Sequence, residues 1–197
     1  MIIKYKKIDI GCGSSKCEPD AIGIDIAAAP GVDIVGDALE VLRNFENNSV
    51  GAIYSSHFLE HHENPAAILQ EMVRVTTPGG IIELRVPHFS DPWYYSDPTH
   101  KHLFGLYTFA YYFNNKQFSR QVPKYSLIEG ASIDSIKLRF GSTRPFYIRH
   151  AMKKMIQGIV NICSYTQELY EEIFSNIFSC SEVHIMIKKT ENDSLNR

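Results

Sequence analysis

Short runs of apolar residues, separated by turn and helix signals, dominate the first half of the chain. They cover residues 7–10, 21–26, 32–35, 50–54 and 80–86, and glycine or proline closes several of them. A short apolar run bounded by turn residues is typical of a buried strand. Strands that alternate with helices along a chain indicate a parallel sheet in an α/β fold.

The clearest helix signal lies between the fourth and fifth of these runs. Asn64 is a favourable N-cap residue, and Pro65 suits the first position of a helix. Four apolar residues then follow at helical spacing, namely Ile68, Leu69, Met72 and Val73. We expect the turn residues 77–80, with the sequence TPGG, to end this helix.

The second half of the chain has a different pattern. Residues 91–115 are rich in aromatic side chains, and residues 146–163 and 165–178 each carry an apolar helical face. Residues 135–140 and 183–187 predict two further strands. The sequence therefore predicts an α/β, doubly wound fold. Its mostly parallel seven-stranded sheet has an antiparallel C-terminal edge strand, and helices cover both faces.

Length and composition fit one globular domain. The chain has 197 residues and is 44% apolar, which suffices for a substantial core. We predict a single domain over residues 1–190, followed by a flexible tail at 191–197. Within that domain we distinguish a core at 7–90, a cap at 91–130 and a helical insertion at 144–178.

Charge and cysteine content narrow the function classes. Twenty basic and 22 acidic residues give a formal net charge of −2, so no general attraction to nucleic acid or anionic membrane is expected. The N-terminal residues lack a secretory signal pattern, and no apolar run approaches about 18 residues. None of the four cysteines forms a CxxC pair, which favours reduced thiols. We therefore expect a cytoplasmic protein without membrane or nucleic-acid partners.

A glycine turn follows the first predicted strand. Gly11 and Gly13 allow a tight turn and a close approach of a ligand to the backbone, although a GxG string also fits a simple turn. A dinucleotide site would need a third glycine where Lys16 stands and a helix that binds phosphate. Only residues 12–20 separate the first two strands, and Pro19 interrupts them, so a full crossover helix is not expected.

Three carboxylates stand at the ends of the first three predicted strands, namely Asp9, Asp25 and Asp37. S-adenosylmethionine (SAM) has no phosphate, and its binding would not suffer from the missing helix. Asp25 is placed for the ribose diol and Asp37 for the adenine. Asp9 could reach the amino group of the ligand, directly or through water.

The string H-F-L-E-H at residues 57–61 offers a competing interpretation. H-x-x-E-H is a motif of zinc peptidases, in which two histidines on one helical face bind the ion and the glutamate activates water. That arrangement belongs in a long helix, whereas the strand at 50–54 runs straight into the string and a new helix starts at Asn64. No later segment clearly supplies a third ligand, although Glu129 stays open. We expect no metal site.

Five segments, in order, resemble the motifs of class I, Rossmann-like SAM-dependent methyltransferases. They are IDIGCGSS, AIGIDI, DIVGDALE, VGAIYSSHFLEH and ILQEMVRVTTPGGIIELRVP. The resemblance covers residues 7–90. Two features depart from the family pattern, because Ser15 replaces the third glycine and Gly11 lies only 14 residues before Asp25. In this family the string at 57–61 is the loop after the fourth strand, and we expect a short helix there that Glu60 and His61 help to hold.

The resemblance implies SAM as cofactor and a set of binding residues near it. The expected cofactor-binding residues are Asp9, Gly11, Cys12, Gly13, Asp25, Ile26, Asp37, Ala38, Ser55, Ser56 and His57. The last three would face the sulfonium and its methyl group.

The loop after the fifth strand would supply the catalytic groups. We predict His100 as a general base that Asp97 orients, with His88 as a further candidate. The expected function is methyl transfer to a small molecule or glycan. The alternatives are a non-catalytic SAM-binding regulatory module and, further off, a zinc peptidase or a nicotinamide oxidoreductase. We expect the late helices to cover the sheet face beside the short first crossover, to pack near the acceptor, or to form a homodimer contact.

Overall fold

The computed structural model describes residues 5–125 and 127–191, so the expectations for residues 1–4 and 192–197 lie outside it. Seven strands form the sheet: β1 (Tyr5–Ile10), β2 (Ile22–Asp25), β3 (Ile34–Val35), β4 (Val50–Ser56), β5 (Thr76–Pro87), β6 (Ala131–Arg139) and β7 (Glu182–Lys189). The α-helices are α1 (Ala38–Arg43), α2 (Pro65–Val75), α3 (Pro92–Ser96), α4 (Tyr147–Val160) and α5 (Ser164–Leu169). A 3-10 turn at Thr108–Tyr111 and a π-helical turn at Tyr170–Phe174 complete the elements. None of the helices in these ranges is long and apolar enough to cross a membrane.

The strand order is β3-β2-β1-β4-β5-β7-β6. Strands β1 to β5 pair in parallel, whereas β7 is antiparallel to both β5 and β6. The predicted mixed, mostly parallel seven-stranded sheet is therefore confirmed. In detail, the antiparallel strand β7 lies one place inside the edge, and β6 forms the edge itself. The chain order reverses between β1 and β4, which is where doubly wound sheets bind ligands.

Helix α2 begins as predicted and ends earlier than predicted. The Asn64 side chain accepts a hydrogen bond of 3.0 Å from the amide of Ala67, as an N-cap residue should. The helix stops at Val75 rather than at 77–80 because Thr76 already pairs with Val50 of β4. The TPGG turn consequently lies inside β5, where the pairing with β4 is irregular.

The late helices pack against β6. The Asn161 side chain donates to the backbone carbonyl of Leu138, and the Gln167 side chain donates to that of Ile136. Strand β6 forms one edge of the sheet and β2 lies next to the other edge, so these helices do not cover the face beside the first crossover. The other two expected positions, near the acceptor and in a homodimer contact, stay predictions. That crossover contains no helix among its residues, all of which are described.

Candidate active site

A cleft of about 380 Å³ opens at the carboxyl ends of β1 to β4. Six of the predicted cofactor residues line it: Gly11, Asp25, Ile26, Asp37, Ala38 and His57. We call this space the cofactor cleft. Its volume lies within the range of about 300–1,000 Å³ that is typical of small-molecule sites.

Asp25 and Asp37 are held in place by backbone amides. The Asp25 carboxylate accepts hydrogen bonds from the amides of Gly13, at 2.9 Å, and Ala27, at 3.1 Å. Asp37 caps α1, a helix that the hydrophobic pattern did not reveal, and its Oδ1 accepts from the amides of Leu39 and Glu40. Both carboxylates are therefore fixed on rigid backbone at the mouths of adjacent strands, where they can accept hydrogen bonds from a ligand.

The two glycines of the turn after β1 have different environments. Gly11 has φ of +72°, and a Cβ built on it would lie 2.5 Å from Cβ of Phe58. Gly13 has φ of +52°, and a Cβ there would meet nothing within 4 Å. The turn therefore packs against the β4 loop at Gly11 and leaves open space beside Gly13, where a ligand can approach the backbone.

Several predicted cofactor residues lie behind the cleft wall instead. Asp9 is fully buried, and burial raises the pKa of its carboxyl group. One carboxylate oxygen accepts from the amide of Cys17, and Oδ1 has no hydrogen-bond partner among the described residues. Cys12 is buried and donates to the carbonyl of Gly31, and burial raises the pKa of its thiol to about 11. Ser55 is also buried, and its hydroxyl oxygen has no partner within the described ranges. Ser56 and Gly13 are not among the residues that line the cleft.

His57 closes one end of the cofactor cleft. Its φ of +54° is unusual for a residue other than glycine and marks a strained backbone that contacts must hold. Nε2 lies 3.1 Å from Glu182 and Nδ1 lies 3.3 Å from Glu60. The contact with Glu182 contributes most, and that with Glu60 second, to raising the pKa of His57 to about 10. The ring is therefore protonated at neutral pH.

The H-F-L-E-H string forms a turn, not a helix, so the predicted short helix at this place is wrong. The zinc-peptidase arrangement requires His57 and His61 on one helical face. Because the string forms a turn, His57 and His61 do not share a helical face. The ring of His57 instead pairs with two carboxylates. The peptidase alternative therefore has no structural support.

A second cleft, of about 480 Å³, adjoins the first. It is lined by His57, Pro87, Asp91, Trp93, Tyr94, Ser96, Asp97, Pro98 and His100. We call it the aromatic cleft. His57 lines both spaces, so its side chain at the end of β4 forms a wall that the two clefts share.

His100 lines the aromatic cleft with one nitrogen unbonded. Nδ1 lies 3.0 Å from the backbone carbonyl of Tyr94, which only accepts, so Nδ1 is the donor of this hydrogen bond. Nε2 then keeps a lone pair. Asp97 lies 3.8 Å from that nitrogen, too far for a hydrogen bond, and instead accepts from the hydroxyl and amide of Thr99. The Tyr94 carbonyl, and not Asp97 as predicted, orients His100.

His88 does not reach either cleft. Its ring is fully buried and contacts Ser90 through Nδ1, at 2.8 Å, and Glu171 through Nε2, at 2.9 Å. Neither nitrogen is available to a substrate, and the structure removes His88 from the candidate catalytic residues. It links β5 to the π-helical turn.

The sequence patterns missed residues that the loops bring to the cofactor cleft. Phe58, His61, His62, Glu63 and Lys101 also line it. Lys101 pairs with Glu63 at 2.6 Å, and its amide donates to the carbonyl of Glu60. These contacts join the loop after β4 to the loop after α3, two segments whose contact no local pattern reveals. The one sequence feature that could have suggested this contact is that both loops contain histidines.

Comparison with known proteins agrees with this geometry. Residues 8–84 match a family model described as a methyltransferase domain. A search of curated proteins gives no significant match. A SAM-dependent methyltransferase from Archaeoglobus fulgidus has a TM-score of 0.59 at 18% identity, over 95% of this chain and 88% of that one. YcgJ from Bacillus subtilis has a TM-score of 0.54 at 16% identity, over 96% and 93% of the two chains.

Structural similarity at 18% and 16% sequence identity shows a shared fold, which is that of class I, Rossmann-like methyltransferases. With the match over residues 8–84, it confirms the resemblance seen in the sequence. The chain therefore has the class I methyltransferase fold, and its residues 8–84 are similar to a methyltransferase domain.

Proposed function

We propose that the chain transfers a methyl group from SAM, bound in the cofactor cleft, to a small-molecule or glycan acceptor bound in the aromatic cleft. The shared wall at His57 carries this proposal, because cofactor and acceptor must meet for a direct displacement. SAM supplies an already activated methyl group. The protein contributes approach geometry, which is worth about 7–11 kcal/mol in well-oriented reactions.

The cofactor cleft fits SAM in its chemistry. Asp25 offers carboxylate oxygens for the ribose diol, and Asp37 keeps one oxygen free of the α1 cap for the adenine amine. The unpartnered Oδ1 of Asp9 lies behind the glycine turn and suits the amino group, through water. We place the predicted cofactor residues that do not line the cleft beside the ligand as packing neighbours, namely Cys12, Gly13, Ser55 and Ser56.

His57 has an electrostatic role in this arrangement. A protonated imidazole would repel the sulfonium of SAM, but Glu182 and Glu60 lie beside the ring and balance its charge. We propose that His57 shapes the wall between the clefts and does not transfer a proton.

His100 is the proposed general base. Its Nε2 lone pair lines the aromatic cleft, and the Tyr94 carbonyl fixes the tautomer. A base serves an acceptor that loses a proton during methyl transfer. The aromatic side chains of Trp93 and Tyr94 provide a wall for a planar or apolar part of the acceptor.

Titration calorimetry with SAM and a labelled-methyl assay test the proposal together. We expect SAM to bind with one site per chain and label to pass to a compound in a metabolite extract. Binding without transfer to any fraction would favour the regulatory-module alternative. Absence of SAM binding would contradict both. His100→Gln should retain SAM affinity and lose transfer.

We also propose the cytoplasm as location and a second copy of the chain as partner. All four cysteines are free, as expected in a reducing compartment. The outer face of α4 exposes a row of apolar side chains, namely Ile148, Met152, Met155 and Ile159. Light scattering of the purified chain tests the dimer, and an Ile148→Glu, Met155→Glu variant should shift it to monomer.

A further inference from the structure

Three side chains that commonly bind metals converge between the two clefts. Glu60, His61 and His100 each present one ligand atom, and these atoms lie within 4.8 Å of one another. The rings of His61 and His100 are in edge contact, with centroids 4.7 Å apart. His61 lines the cofactor cleft and His100 the aromatic cleft, so the cluster lies at their common wall.

The carboxylate of this cluster is buried, and its one charged neighbour among the described residues is His57. Glu60 has no exposed side-chain surface, and neither of its carboxylate oxygens has a hydrogen-bond partner within the described part of the chain. Oε1 lies 3.3 Å from Nδ1 of His57, an ion pair whose geometry is not that of a hydrogen bond. A buried carboxylate in this state is costly, and a bound cation would satisfy it.

Hydrogen bonds to the far side of each imidazole prepare the two histidines. Nδ1 of His100 donates to the Tyr94 carbonyl. The Thr99 hydroxyl donates to Asp97 and therefore accepts from Nδ1 of His61, at 2.9 Å. Nδ1 is thus the donor in both rings, which leaves Nε2 as the nitrogen that can bind an ion. Support of the other ring nitrogen by a carbonyl or carboxylate network is the usual second layer around a metal-binding histidine.

We propose that Glu60, His61 and His100 form a binding site for a divalent transition-metal ion, for which zinc is the best chemical match. Two histidines and one glutamate are a known zinc ligand set, which leaves a fourth position for water or substrate. Zinc bonds of about 2.0–2.2 Å hold neighbouring ligand atoms about 3.4 Å apart. The three side chains must therefore draw closer when the ion binds.

This site differs from the peptidase motif and from the expectation of no metal. The motif would use His57 and His61 as ligands and Glu60 as the base, whereas here Glu60 is a ligand and His57 is not. The site does not rest on the proposed function. An ion bound to Nε2 of His100 would occupy the atom proposed as the general base, so the base function proposed above belongs to the metal-free chain.

Metal binding by the full-length chain tests the site directly. Protein freed of metal with a chelator is titrated with zinc chloride by calorimetry, and cobalt chloride gives visible ligand-field bands as a second measurement. We expect one equivalent per chain and tetrahedral-type bands. His61→Ala, His100→Ala and Glu60→Gln should each weaken binding at least tenfold.

His150→Ala controls for adventitious binding, because His150 lies in α4, outside both clefts. It should bind zinc as the wild type does. Circular dichroism verifies that each variant is folded, and a zinc-dependent rise in melting temperature should occur in wild type and His150→Ala alone. Absence of stoichiometric binding in the wild type, or equal binding by His61→Ala and wild type, would overturn the site. SAM titration of the same proteins separates this result from any failure of the proposed function.

Discussion

His57 and Glu182 are 125 residues apart in sequence, and Nε2 of the first lies 3.1 Å from Oε1 of the second. The contact joins the strained loop after β4 to the first residue of β7. It therefore fixes the wall between the cofactor cleft and the aromatic cleft from across the sheet.

Glu182→Gln should loosen this wall. The amide keeps the shape and loses the charge that holds the protonated His57. We expect the loss of this half-buried ion pair to weaken the free energy of SAM binding by about 1 kcal/mol. The SAM dissociation constant should then rise about three- to tenfold. Calorimetry measures the change. Glu83→Gln, which breaks a comparable pair with Arg85 on β5, is the control. Equal affinities of Glu182→Gln and wild type would contradict the proposed position of His57.

Asp25→Ala should weaken SAM binding more strongly. Its carboxylate is the proposed acceptor for the ribose diol, and charged hydrogen bonds contribute about 1.5–3 kcal/mol. We expect at least a tenfold rise in the dissociation constants of SAM and of its demethylated product. Asp20→Ala removes an exposed carboxylate outside the cleft and should change neither constant. A matching loss in both variants would instead indicate a general electrostatic effect.

The two glycines of the β1 turn should respond differently to alanine. A methyl group on Gly11 meets Phe58 and adopts positive φ, and overpacking of this kind costs about 1–3 kcal/mol beyond the backbone strain. Gly13→Ala has open space and should lose only the strain, about 1–2 kcal/mol. Urea unfolding measures both. If Gly13→Ala is the more destabilising change, the contact of Phe58 with the turn is wrong.

Much of the sheet was predictable because parallel strands are buried on both faces and form apolar runs that stand out. The N-terminus of α2 was equally predictable, since Asn64 and Pro65 have local preferences for those positions. Helix α1 was missed because it has one turn and a half, too short for a periodic pattern. The end of α2 was misplaced because Thr76 pairs with β4, a contact that local preference does not encode.

The candidate site was predictable only where residues follow strand ends. Asp25 and Asp37 lie in the cleft because the sheet topology brings strand ends together. The partners of His100 were not predictable, since the carbonyl of Tyr94 takes the role assigned to Asp97. Likewise, the convergence of Glu60, His61 and His100 depends on how two loops pack. Such loop contacts have no counterpart in the periodicity of the chain.

His88 provides the sharpest contrast between a structural and a catalytic histidine. Its fully buried ring contacts Glu171, whose other oxygen accepts from the amide of Leu106, so the pair holds the cap to β5. Breaking a buried pair of this kind by removing one partner costs about 3–5 kcal/mol. His88→Ala should therefore lower the free energy of unfolding by about 3 kcal/mol.

His100→Ala should behave in the opposite way, because its ring lies at a cleft wall with one hydrogen bond to a carbonyl. We expect a stability loss of about 1 kcal/mol, with methyl transfer abolished. Urea unfolding and the labelled-methyl assay, run on both variants under conditions where each is folded, separate the two roles. A folded His88→Ala that keeps wild-type stability and loses only transfer would return His88 to the catalytic residues and refute its structural role.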